Sequence, residues 1–355
     1  MIISIAKIFT ALSISFVIGI AITPVVTAFL YKHKMWKKRA RNEALGGGET
    51  PIFNKMHKDK EVGTPRMGGV IIWVSVLLTI PIVWLIAKFG LSPITAKLNF
   101  LSQNQTWLPL FTLVVASLVG LTDDLLQIYD MGGYVAGGLS LTKRIVTVLL
   151  IGLIGACWFY FKLDISSVAI PFYGSLNLGL LFIPFFMLVM LALFSGGVID
   201  GIDGLAGGIM ASIFSAYVGI AFFQNQIDLA AFCAAIVGGI LAFLWFNIPP
   251  ARFYMSETGM LGLTATLSVV AFLSNAVMVL PIIAFPLFAS SASVIIQYAS
   301  KKLRGGKKVF LVAPVHHHFE ALGWPAYKVT MRFWILGIVF SVVGMIISIV
   351  GGIIL

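Results

Sequence analysis

His316, His317 and His318 stand side by side in the segment APVHHHFE of a chain with five histidines in all. Imidazoles titrate near neutral pH, donate hydrogen bonds to phosphates, shuttle protons and ligate metals. Three consecutive histidines cannot easily all face one ion, and no cysteine is nearby, so phosphate or proton handling is favoured over a zinc site. Four further polar clusters interrupt apolar sequence: GTPRMGG (63–69), TDD (122–124), DGIDG (200–204) and MSETG (255–259). Asp123 and Asp124 are adjacent, so on a helix they point about 100° apart. One could face a metal or nucleophile while the other holds a neighbouring helix; the plainer reading is a solvated helix end. Asp200 and Asp203, three apart, share a face on a helical turn. Gly196, Gly197, Gly201, Gly204, Gly207 and Gly208 surround them, and glycines let backbone N–H groups approach an anion closely. Packing of small residues would explain those glycines but not two carboxylates among them. Carboxylate pairs beside glycines suit Mg²⁺ bridging to phosphate oxygens. Glu257 adds a further carboxylate. Tyr254 could stack a planar base or anchor the chain at a membrane interface. Asn247, beside Pro249 and Pro250, could cap a chain break or bind a ligand. Lys301, Lys302, Arg304, Lys307 and Lys308 precede the histidines and offer a basic approach for a polyanion, or an anchor at an anionic membrane face.

The elements that must position these residues are membrane spans. Of the 355 residues, 59% are hydrophobic and 10% are charged, too little polar surface for a soluble domain of this length. Apolar runs of roughly 18 residues or more, enough to cross ~30 Å of hydrocarbon, recur throughout. An all-α, polytopic integral membrane protein follows, with about ten transmembrane helices near 3–30, 68–88, 107–126, 145–162, 177–196, 205–223, 229–247, 258–274, 276–299 and 331–354. The first run is too long for a signal-peptide core and lacks a small-residue cleavage site. The basic loop YKHKMWKKRAR after span 1 marks a cytoplasmic side. With both termini outside, twenty Lys and Arg fall on that side; Lys7, Lys88, Lys97 and Lys162 fall on the other. Membrane topology thus accounts for most of the net charge of +11, and no aromatic-basic module points to nucleic acid. Residues 163–176, with β-branched residues flanking a Pro and Gly turn, are expected to form a small hairpin. Cys157 and Cys233 lie in apolar runs, so neither a disulfide nor a cysteine metal site is expected. Residues 1–355 read as a single transmembrane domain. On this threading all five polar clusters face the cytoplasm, which points to one cytoplasmic-face active site assembled from several span ends.

At these residues the chain resembles a known family. GTPRMGG, GLTDDLLQI, DGIDGLA, FLWFNIPPARFYMSETG and APVHHHFEALGWPAYKVTMRFW are similar, in order and spacing, to motifs of the phospho-N-acetylmuramoyl-pentapeptide transferases. These belong to the polyprenyl-phosphate N-acetylhexosamine-1-phosphate transferase superfamily. The resemblance runs from about residue 57 to 335, and HHHFE followed by GWP is its most specific part. It implies a Mg²⁺-dependent transfer of phospho-MurNAc-pentapeptide from UDP-MurNAc-pentapeptide to undecaprenyl phosphate, giving lipid I and UMP. It places the protein in the bacterial cytoplasmic membrane, among membrane lipids, with a homodimer as a candidate assembly. By match to the motifs, Asp123, Asp124, Asp203 and His316 take catalytic positions. Lys60, Thr64, Asp200, Asn247, Tyr254, His317 and His318 take substrate-binding ones, and Glu257 with Asp200 would hold the metal.

The chain departs from the family pattern at several of these places. One extra residue separates Lys60 from the GTP segment. Gly197 stands where the family has an asparagine, Glu257 where it has an aspartate, Arg66 where threonine is usual and Tyr254 where phenylalanine is usual. Two routes are open: direct attack of the lipid phosphate on the β-phosphorus, with Asp123 or Asp124 as base or orienting group, or a covalent phospho-enzyme with Asp203 as nucleophile. A GlcNAc-1-phosphate transferase of the same superfamily is the nearest alternative. A multi-span transporter is a more distant one, because transporters tend to place ionisable groups at the membrane midplane within repeats.

Overall fold

A computed structural model describes residues 1–38, 62–90, 93–101, 104–131 and 138–353. Lys60 lies outside the described residues. The principal helices are α1 (Ile2–Lys32), α2 (Val70–Phe89), α3 (Asn104–Ile128), α4 (Leu141–Cys157), α5 (Phe182–Gly196) and α6 (Leu205–Phe223). They continue with α7 (Ile227–Asn247), α8 (Ser256–Leu273), α9 (Phe285–Leu303), α10 (Val315–Ala321) and α11 (Ala326–Ile353). Among the described residues, nine helices are long and apolar enough to cross a membrane. The ninth expected span, 276–299, is not straight. Its segments Val277–Ile283 and Phe285–Leu303 meet at 78°. Pro286 opens the second segment, where a residue without an N–H starts a helix more readily than it continues one. Hydropathy registers both halves as apolar and is blind to the bend.

The expected hairpin forms as β1 (Ser167–Ile170) and β2 (Gly174–Asn177), antiparallel, with Ser167 opposite Asn177 and Ile170 opposite Gly174. At the same end of the bundle Lys7 of α1 pairs with Asp228 in the first turn of α7, where a carboxylate also meets the positive end of the helix dipole.

α8 is the centre of the molecule. Every residue from Thr258 to Leu273 is buried, as expected of a helix enclosed by others on all sides. It packs along α3 and also touches α2, α4, α5 and α6. α1, by contrast, lies along α7 and α2 and presents most of its surface outward. Small residues let the central helices approach closely. A Cβ on Gly120 of α3 would fall only 2.2 Å from the Glu257 carbonyl oxygen, so glycine is required where α3 crosses the start of α8. That crossing sets Asp123 and Asp124, one turn further along α3, against the first turn of α8.

Candidate active site

The N-terminus of α2, the C-terminus of α3, the α5–α6 and α7–α8 connections and α10 lie at one end of the bundle, and their polar clusters meet there. Backbone hydrogen bonds join the first pair: Tyr254 N–H donates to Pro65 O at 2.8 Å, Gly68 N–H to Tyr254 O at 2.8 Å and Gly69 N–H to Met255 O at 3.2 Å. GTPRMGG and MSETG thus form one ledge.

Asp124, fully buried, is held by that ledge. Its Oδ2 accepts from the Thr258 N–H at 2.9 Å and the Thr258 hydroxyl at 2.7 Å, and its Oδ1 faces Arg66 Nε at 3.4 Å. Asp123 turns the other way, as the helical spacing of neighbours requires. It accepts from Gln127 Nε2 at 2.7 Å and Leu139 N–H at 2.6 Å, and pairs with Arg144 Nη2 at 2.8 Å. Arg144 Nη1 reaches Glu257 at 2.6 Å, and its Nε donates to Leu139 O at 3.1 Å. Each carboxylate of TDD is therefore surrounded by donors.

The DGIDG loop is positioned from several sides. Asp200 Oδ2 accepts from Ser256 N–H at 2.9 Å. Burial lifts its carboxyl to about 6; the Ser256 N–H and Arg66 pull against that rise, and Asp124 and Asp203 add to it. Asp203 Oδ2 accepts from Ala251 N–H at 3.3 Å, while its carbonyl accepts from Thr330. Asn247 spans the gap between loops: its Oδ1 accepts from Gly204 N–H at 3.0 Å and its Nδ2 donates to Phe253 O at 2.8 Å. Both ends of this amide are committed to the scaffold. Asp203, Thr64, Tyr254, Pro249, Pro250 and Ala251 line a cavity of about 290 Å³. Next to it, Ile248, Trp245, Leu241 and Gly208 help to line an apolar groove of about 610 Å³ between α6, α7 and α11.

The histidines divide. His316 and His317 are buried, and both turn Nε2 onto the DGIDG loop: a Cβ on Gly201 would sit 2.6 Å from His317 Nε2 and 2.9 Å from His316 Nε2. Glu320 fixes the His317 ring through Nδ1 at 2.6 Å. His318 instead accepts from Leu311 N–H at 3.2 Å and packs on Phe310, so it shapes the loop before α10. Gln297 of α9 holds that loop through Val309 and Phe310, and Ser293 accepts from Val315 N–H at the start of α10.

Among the described residues, no three His, Cys, Asp or Glu side chains come close enough to hold a metal by themselves. Mg²⁺ asks for less, since it takes one or two carboxylates and completes its shell with water and substrate phosphates. Asp200 fits that demand: its Oδ2 accepts a single backbone hydrogen bond, which leaves lone pairs for a cation. Sequence reasoning missed Arg144, Thr258 and Gln297 as site-building residues. Arg144 was hidden in the count of inside-positive charge. Its signal is an arginine in the first turn of a span, four residues after Ser140, which caps α4.

A polytopic bundle whose span ends carry a shared acidic, glycine and imidazole centre defines a membrane-embedded transferase, and glycosyl transferase family 4 matches residues 106–275. The chain is 33% identical over 333 residues to the phospho-N-acetylmuramoyl-pentapeptide-transferase of Listeria innocua, covering 93% of this chain and 94% of that one. It is 34% identical over 337 residues to that of Geobacillus thermodenitrificans, covering 94% and 95%. The chain belongs to the phospho-N-acetylmuramoyl-pentapeptide-transferase family.

Proposed function

We propose that this protein transfers phospho-MurNAc-pentapeptide from UDP-MurNAc-pentapeptide to undecaprenyl phosphate, releasing UMP and leaving lipid I in the membrane. Residues 1–355 act as one transferase domain of the bacterial cytoplasmic membrane, with the site facing the cytoplasm. The observation that carries this reading is the meeting of GTPRMGG, TDD, DGIDG, MSETG and HHHFE at the bundle end whose loops hold most of the lysines and arginines. A nucleotide-sugar arrives from water and a polyprenyl phosphate from the bilayer, so a shared site belongs at this boundary. The apolar groove lined by Ile248 would admit a lipid chain beside the polar cavity lined by Pro249.

In phosphoryl transfer, positioning and charge neutralisation do most of the work. The acceptor phosphate, with its second pKa near ~6, is already anionic at neutral pH. Its oxygen attacks the β-phosphorus, and the electron pair of the breaking P–O bond leaves with UMP, so no proton has to move. Asp123 and Asp124, saturated with donors, orient Arg144 and Thr258 and do not serve as bases. Asp203 faces the cavity and orients the reacting phosphates. His316 and His317 add hydrogen bonds along the glycine loop. Asp200 and Glu257 would hold Mg²⁺, which neutralises charge on the leaving nucleotide when bound.

Purified protein incubated with UDP-MurNAc-pentapeptide, undecaprenyl phosphate and Mg²⁺ should release UMP and form a lipid-linked product. Release with UDP-GlcNAc instead of the muramoyl donor would favour the GlcNAc-1-phosphate branch. Selective zinc chelation in the presence of Mg²⁺ should leave the rate unchanged.

A further inference from the structure

We propose that Arg144 is a positioning residue that occupies Glu257 in the resting protein and releases it when the donor's diphosphate enters. The inference rests on the reading above for the identity of the donor, but not for the ion exchange itself. Arg144 extends one guanidinium to two helices, Nη2 to Asp123 of α3 at 2.8 Å and Nη1 to Glu257 of α8 at 2.6 Å. The two ends of this bridge are unequal. Asp123 is almost wholly buried and keeps two other donors, Gln127 and Leu139. Glu257 is the one residue of α8 after Met255 that is not buried; Arg144 forms its ion pair, with Arg66 a weaker positive influence. If the guanidinium swings away, Asp123 remains satisfied and Glu257 is freed.

The charges surrounding Glu257 make the exchange directional. Asp123, Asp124, Asp200, Asp203 and Glu257 gather near Arg66 and Arg144. Carboxyl groups outnumber guanidinium groups in this cluster, an imbalance that a divalent cation would offset. A guanidinium at 2.6 Å from Oε1 shields the oxygen that such a cation would take. A diphosphate offers the planar fork two oxygens of one ligand in place of one oxygen from each of two carboxylates. Substrate charge thereby draws Arg144 off Glu257, and Glu257 becomes available as Asp200's companion ligand.

The test is Mn²⁺ titration of the purified full-length protein, read by the electron-spin signal of free Mn²⁺, with and without UDP, after the Mn²⁺ taken up by the same UDP without protein is subtracted. Wild type should bind Mn²⁺ weakly alone and about tenfold more tightly with UDP. Arg144→Gln should bind Mn²⁺ about tenfold more tightly without UDP and gain little from it, and adding Glu257→Gln should abolish that gain. Arg144→Lys, which keeps the charge but cannot bridge two carboxylates, should fall between, and it serves as the reading if Arg144→Gln does not fold. Unchanged or weaker Mn²⁺ binding in the Arg144 variants, or no effect of UDP on wild type, overturns the proposal. No acceptor or sugar is present in this titration. A wild type that exchanges ions as described but releases no UMP from the muramoyl donor would therefore sink the functional reading and leave the exchange intact.

Discussion

Asp124 and Thr258 form a two-point contact across the α3–α8 crossing: one carboxylate oxygen takes both the backbone N–H at 2.9 Å and the hydroxyl at 2.7 Å. The pair is 134 residues apart in the chain and ties TDD to MSETG. Thr258→Val keeps the shape and removes the hydroxyl donor from a fully buried carboxylate. A loss of about 1–3 kcal/mol is expected, visible as a lower Tm in detergent. An unchanged Tm would show that water or a neighbour replaces the hydroxyl.

Asn247 holds the DGIDG loop to the loop before α8 through Gly204 and Phe253. Asn247→Ala orphans a buried donor and a buried acceptor, each worth about 1–3 kcal/mol. Asn247→Asp retains an acceptor for Gly204 but sets a carboxylate against the Phe253 carbonyl. Thermal unfolding should therefore rank wild type above both variants, and KM for the nucleotide-sugar should rise in both.

Gly201 and Gly197 sit four residues apart and should respond in opposite ways. A methyl at 201 would displace two imidazoles, and misplacement on the 1 Å scale can cost about 10²-fold in rate, so Gly201→Ala should lose activity to that extent. At Gly197 the nearest atom to an added Cβ is 3.9 Å away, on Met260. Gly197→Asn, which restores the family's amide, should change stability by no more than about 0.5 kcal/mol. Circular dichroism melts and UMP release distinguish the two.

Asp200 supplies the pH dependence. Its folded pKa, about 6, lies above its ordinary value of 3.8, so the folded protein binds the extra proton between those limits. Without divalent ions, this group's contribution to stability falls as pH rises from about 4 to about 6 and is level above. Protons compete with cations at the same carboxylate. The Mn²⁺ concentration for half-saturation should therefore rise several-fold, and by no more than about tenfold, between pH 6 and pH 5. Asp200→Asn should remove the slope; a slope that persists would place the competing proton on another group.

Much of the architecture was legible from apolar run length alone, because the cost of leaving a peptide group unpaired in hydrocarbon forces each such run into a helix. That logic located the spans and the five polar segments at their ends; the hairpin, expected within 163–176, was legible instead from β-branched residues flanking a Pro and Gly turn. Run length failed at Ala284, where the 78° bend depends on how Pro286 and the neighbouring helices share space. Residue type left Asn247 open between capping a chain break and binding a ligand, and its amide joins Gly204 to Phe253; His318, matched to a substrate-binding position by resemblance, accepts from the Leu311 N–H.

By itself the chain's order of residues determined that helices would span a bilayer and which chemical groups would crowd the basic side, since transfer free energy and motif spacing are local properties. Only tertiary structure decided that Arg144 would bridge Asp123 to Glu257, that His316 and His317 would face Gly201, and that both carboxylates of TDD would be enclosed by donors. Those outcomes depend on helix crossings between residues up to 134 positions apart, where a rotation of one helix by a single residue would point every side chain elsewhere.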